Sequence, residues 1–127
     1  MVWLIMKITR PNGLALFRIL STFGIATIFA KQVARKVNIY AIPCEDPNTV
    51  IKALKIYGGT FEILAIADEL QLGDGWEVAE VVTKKFVNDW GGTVEMKFIR
   101  YKGKEYPVGR VRPEWTPADE KTEEELS

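Results

Sequence analysis

The sequence predicts an α+β fold: a strand-helix-strand start, three short helices and a C-terminal β-hairpin, with the strands sharing a small mixed sheet. Three observations carry this. The apolar run from Val2 to Thr9 stops at Arg10-Pro11-Asn12-Gly13, where proline and glycine punctuate a turn. From Leu14 to Val37 apolar residues recur at helical spacing, and after residue 92 the pattern changes to two-residue alternation.

Taken in order, Val2 to Thr9 is short and compact enough for a strand. In the next segment Leu16, Leu20, Phe23, Ile28, Phe29, Val33 and Val37 fit a helix, with Lys31, Arg35 and Lys36 gathered in its last turns, where cations suit the helix dipole. Gly24 is a natural point for this segment to divide in two. Asn38 to Pro43 is rich in Ile and Tyr and reads as a second strand, which βαβ geometry makes parallel to the first. Asp46-Pro47 then offers an N-cap and a proline at the first helical position, so a helix runs to about Tyr57 and stops at Gly58-Gly59. Thr60 is the next cap candidate, for a helix through Leu70. Asp74 or Gly75 opens a third, from about Trp76 to Trp90, ending at Gly91-Gly92. Val94, Met96 and Phe98 alternate with Glu95 and Lys97, and a turn at Gly103-Lys104 pairs Tyr101 with Tyr106 and Lys102 with Glu105.

The chain has 127 residues, of which 47% are hydrophobic, enough to bury a core in one domain. That domain is expected over residues 1–113, with 114–127 as an acidic flexible tail. The lone Cys44 excludes an internal disulfide and favours a reducing, cytoplasmic setting; the absence of His removes the commonest metal ligand and the usual neutral-pH proton shuttle. Only two Gln among abundant Ile, Val, Lys and Glu lean toward the composition of a thermophile or its virus. Leu14 to Ala30 is nearly all apolar, but it falls short of the roughly 20 residues a membrane span needs and is interrupted by Arg18, Ser21, Thr22 and Thr27. Met1 to Met6 does not read as a signal peptide, because its apolar run precedes the first basic residue. No membrane association is expected.

Charge is sorted although it sums to zero. Residues 1–44 carry six basic groups and no acid, 45–95 carry ten acids against four bases, 96–112 six bases against one acid, and 113–127 six acids against one base. Such sorting points to a charged partner or to self-complementarity. Within the third block Lys97, Arg100, Lys102, Lys104, Arg110 and Arg112 interleave with Phe98, Tyr101 and Tyr106. Cations with stacking rings are what a DNA or RNA backbone and its bases require, so Lys97, Arg100, Tyr101, Lys102, Lys104, Arg110 and Arg112 form the candidate nucleic-acid site. The competing view is that any exposed hairpin alternates wet lysines with dry aromatics. The acidic tail, with Asp119, Glu120, Glu123, Glu124 and Glu125, is placed to fold back on this hairpin and compete with a polyanion.

Other patterns are weaker. Asp46 to Arg112 follows the element order of a winged helix, yet the helix that would enter the groove starts with Glu77 and Glu80, the wrong sign for phosphate. Cys44 sits where a strand ends before a helix, a position that lowers a thiol's pKa, but Glu45 and Asp46 oppose the shift and no His is present as base. Asp74, Glu77 and Glu80 would share a helix face suited to a hard cation, although such faces are usually only solvated. The paired glycines match no nucleotide-binding fingerprint. No enzyme activity, cofactor or metal is therefore expected. The first helix, with Leu14, Leu16, Phe17, Ile19, Leu20, Phe23, Ile25, Ile28 and Phe29, is apolar on more than one face, and an oligomer that buries it is the alternative to nucleic-acid binding.

Overall fold

The computed structural model describes residues 1–108 and the backbone of 116–122. Within these it contains two helices and eight strands, and every pairing described below is antiparallel. This overturns the expected three-helix fold with a small mixed sheet. The chain divides into two compact units, Met1–Val78 and Ala79–Ser127.

The first unit runs β1 (Val2–Arg10), α1 (Gly13–Ser21), β2 (Thr27–Ala34), β3 (Val37–Cys44), α2 (Pro47–Tyr57), β4 (Thr60–Ala67). Its strands lie in the order β4-β1-β3-β2. Element order and strand order together are those of the split-βαβ, or ferredoxin-like, topology. β1 is the central strand: it pairs with β3 from Val2↔Cys44 to Ile8↔Asn38, and on its other side with β4 from Trp3↔Ala67 to Arg10↔Thr60. Leu4, Met6 and Ile8 alternate along it with no exposure, in register with Ile42, Tyr40 and Asn38. They form the core face together with Ile28 and Ala30 of β2, Leu16, Phe17 and Leu20 of α1, and Val50, Ile51 and Leu54 of α2.

The departures from expectation have local causes. The long helix read from Leu14 to Val37 stops at Ser21, because Gly24 adopts a positive φ of 73° and the chain re-enters the sheet as β2. The crossover through α1 does make a strand parallel to β1, but that strand is β2. β3 returns antiparallel through a tight turn at Arg35-Lys36 and inserts between them. Asn38 to Pro43 is a strand as expected, in the opposite direction.

The segment Thr60 to Leu70, read as a helix, is strand β4 over Thr60–Ala67. Its Glu, Leu and Ala residues have good helix propensity, but pairing with β1 overrides it. The helix α2 forms as read. Asp46 Oδ1 accepts from the Asn48 N–H at 3.1 Å and Asp46 Oδ2 from the Thr49 hydroxyl at 2.8 Å. Gly58, at φ 87°, takes the left-handed position that ends the helix. Gly59 passes so close to β1 that an added Cβ would lie 2.7 Å from the Arg10 carbonyl oxygen.

The second unit holds most of β5 (Glu77–Val87), then β6 (Thr93–Tyr101), β7 (Lys104–Pro107) and β8 (Thr116–Thr122). β5 pairs with β6 from Ala79↔Tyr101 to Val87↔Thr93, β6 pairs with β7, and β8 pairs with β5 from Val82↔Thr122 to Val87↔Thr116. The helix expected from Trp76 to Trp90 is therefore strand β5. Val78, Val81, Val82, Thr83 and Val87 are the β-branched residues that favour an extended chain there. With β4 and β5 both extended, the winged-helix pattern has no recognition helix among the described residues. The expected C-terminal hairpin is present, with its turn one residue earlier, at Lys102-Gly103, both at positive φ (52° and 72°).

Two substitutions on α2 separate packing from surface. Leu54→Ala, at a site with no exposure, is expected to cost about 2–5 kcal/mol. Lys52→Ala, on the exposed face, should change stability by less than about 0.5 kcal/mol. Urea unfolding followed by circular dichroism checks both.

Candidate nucleic-acid interface

Alternation along β6 and β7 decides which candidate residues stand together. Cross-strand partners share a face, so the pairs Ile99↔Tyr106 and Tyr101↔Lys104 belong to one face, and Arg100↔Glu105 and Phe98↔Pro107 to the other. Lys97, two residues from Ile99, joins the first face. Lys97, Tyr101, Lys104 and Tyr106 thus lie on one side of the hairpin, and the turn residue Lys102 places its ammonium 5.4 Å from the Tyr101 ring centroid. Lys97, Lys102, Lys104 and Tyr106 are exposed and Tyr101 half-buried, which makes Tyr106 the more open of the two rings. On the same face Lys85 of β5 stands opposite Glu95, with Nζ and Oε1 3.9 Å apart.

Arg100 is on the other side. Its guanidinium lies 3.4 Å from Glu105 Oε2, and Lys84 of β5 lies 2.8 Å from Glu105 Oε1. The Lys84 ammonium also sits 5.3 Å from the centre of the Phe98 ring, which in turn packs on Phe86 at a centroid distance of 6.1 Å. The single acid of the basic block is in this way held by two cations on the opposite face from Lys97 and Lys104. Each half-exposed ion pair is worth about 0.2–1 kcal/mol, so the arrangement directs charge more than it stabilises the fold. Arg110 and Arg112 lie outside the described residues. Of the acidic tail, Asp119 and Glu120 fall within β8, at the register positions opposite Lys85 and Lys84 of β5. Glu123, Glu124 and Glu125 lie outside the described residues.

Sequence reasoning missed two aromatic features. Trp90 is 87% exposed at the tip of the β5–β6 turn. Asn88 Oδ1 orders that turn by accepting from the N–H groups of Trp90 and Gly92 at 3.0 and 2.9 Å. In the first unit, Trp3 and Phe29 pack at a centroid distance of 5.9 Å on the sheet face opposite the core, with Lys7 and Lys31 in the same set of alternating positions. That face is partly covered: the backbone at Gly75 is close enough to Lys31 that an added Cβ would lie 3.3 Å from its Cε. Recognising β2 and β5 as strands would have exposed both features in the sequence.

The remaining candidates are simpler. Glu77 and Glu80 are three residues apart on a strand, where such positions point to opposite faces, so the helical acidic cluster with Asp74 does not form. Among the described residues no group of three or more acidic or cysteine side chains is arranged to hold a metal ion. No described helix is long and apolar enough to cross a membrane. Cys44 is a buried free thiol that donates to the Ile42 carbonyl at 3.4 Å. Burial pushes its pKa up to about 11; the Asp46 charge adds to this and a backbone hydrogen bond at Leu4 opposes it. Comparison with protein-family models, with curated proteins and with solved structures finds no match.

The thiol makes a pH prediction. Unfolded, Cys44 loses its proton near its ordinary value of 9.0; folded, it holds the proton to about 11. Between those values the native state binds more protons, so the contribution of this thiol is complete below pH 9 and falls as pH rises to 11. Denaturant midpoints measured across that range should fall more steeply for the natural chain than for Cys44→Ala.

Proposed function

We propose that this protein is a non-enzymatic nucleic-acid-binding protein that uses one face of the β6–β7 hairpin, with single strands as its preferred ligand. The observation that supports the reading is the sorting of the hairpin by alternation: Lys97, Lys102 and Lys104 accompany Tyr101 and Tyr106, while Glu105 is engaged by Arg100 and Lys84 on the reverse side. The lysines neutralise phosphates and release counterions. The open Tyr106 ring, and Tyr101 beside it, stack on unpaired bases, a contact worth about 1–3 kcal/mol per base. Arg100 then acts through the hairpin, by holding Glu105, and not on the ligand. Arg110 and Arg112 remain part of the proposal as further cations close in sequence. The second reading, an oligomeric interaction protein, is favoured by a separate observation, the exposed apolar strand β4.

Fluorescence anisotropy of labelled single- and double-stranded DNA and RNA, titrated at two salt concentrations, tests this. Single strands should bind with an affinity that falls with salt. Lys97→Glu with Lys104→Glu should reduce the magnitude of the log–log salt slope by about 1.4, or 0.7 per phosphate contact, whereas Arg100→Gln should leave it near the natural value. Lys102→Asn, which keeps a residue tolerant of positive φ in the turn, should weaken binding without loss of fold. Absence of binding to any of the four ligands sinks the proposal.

A further inference from the structure

β4 is an edge that ordinary protein edges avoid being. It closes its unit's strand order, and among the described residues no strand pairs with its outer side. A row of backbone N–H and C=O groups is therefore left open along eight residues. The usual protections are lysine, proline or a very short strand; β4 has no lysine, no proline and a single charge, Glu62. It instead exposes Ile63 at 43%, Leu64 at 45% and Ile66 at 52%, and the last turn of α2 leads into it with Ile56 and Tyr57 also exposed. Its register against β1 shifts between the pairs Phe61↔Ile8 and Thr60↔Arg10, and again at Leu64, between the pairs Ala65↔Ile5 and Ile63↔Met6.

The shift at Leu64 has a consequence for symmetry. Ile63 and Ile66 are in register with the core-face residues Met6 and Leu4, so both lie on the core side of the sheet. Glu62 and Ala67 are in register with Lys7 and Trp3 and lie on the opposite side. An antiparallel pairing of β4 with itself about a two-fold axis between Leu64 and Ala65 then matches faces from Glu62 to Ala67. Ile63 stands opposite Ile66 of the partner subunit, and Glu62 opposite Ala67 of the partner subunit. No like charges oppose each other, and isologous pairing extends the sheet with ordinary ladder hydrogen bonds.

We propose that β4 is the self-association surface of this protein and that its occupant is β4 of a second copy. The proposal stands independently of the hairpin's ligand. Sedimentation velocity of the full chain from about 1 to about 200 µM, the range expected for a small interface, should show a concentration-dependent dimer of the 14.4 kDa chain. Ile63→Lys and Ile66→Lys, at positions already exposed, should each raise the dissociation constant about tenfold or more by bringing charges into the pairing, with an unchanged circular dichroism spectrum. A chain that stays monomeric throughout the range overturns the proposal. So does a dimer indifferent to both lysines, which would place the interface elsewhere.

Discussion

In an antiparallel ladder successive side chains point to opposite faces and cross-strand partners share one, so the register of a few pairs determines what every residue can touch. On β1 this constraint sends Leu4, Met6 and Ile8 into the core and leaves Trp3, Ile5 and Lys7 on the other face. On β6 and β7 it separates two neighbours in sequence, Arg100 and Tyr101, onto opposite sides. On β4 it places Ile63 and Ile66 on one face despite their odd spacing, because the shift at Leu64 absorbs one residue. A change of one residue in any of these registers would exchange dry and wet faces.

The features legible in the sequence were those with local chemical punctuation. β1 ends at a proline-glycine turn, α2 begins at Asp46-Pro47 and ends at Gly58, and the hairpin carries strict alternation. β2, β4 and β5 lack such marks. Thr60–Ala67 is a run of Glu, Ile, Leu and Ala with no clean period, and what makes it a strand is the open side of β1, a partner fifty or more residues away in sequence. β5 contains Glu, Ala and Lys at spacings that mimic a helix face; its valines and Thr83 were the contrary signal. The direction of β3 was also beyond local reasoning: the strand that follows the crossover helix is β2, parallel to β1, and β3 returns from it by a tight turn to insert antiparallel between the two.

The candidate site was legible as a composition and not as a geometry. Basic and aromatic residues are dense in 96–112, but density alone does not say which of them face the same way. Pairing does: it leaves Lys97, Lys104, Tyr101 and Tyr106 together, removes Arg100 to the reverse, and gives Glu105 two cationic neighbours there. The turn is the determinant. Lys102 and Gly103 both hold positive φ, so the strands meet at Tyr101↔Lys104 and the acid comes opposite Arg100. With the register slipped by one residue, Glu105 would stand opposite Tyr101, on the face of Lys97, and the reverse-side network would not form.

The register of that hairpin is accordingly the quantity to measure. Backbone nuclear Overhauser contacts in the isotope-labelled protein should connect Ile99 with Tyr106 and Arg100 with Glu105 across the strands. Contacts connecting Arg100 with Tyr106 and Tyr101 with Glu105 instead would mean a register slipped by one residue, with Glu105 brought to the face of Lys97 and Tyr101. The charge sorting on which the functional reading depends would then be wrong.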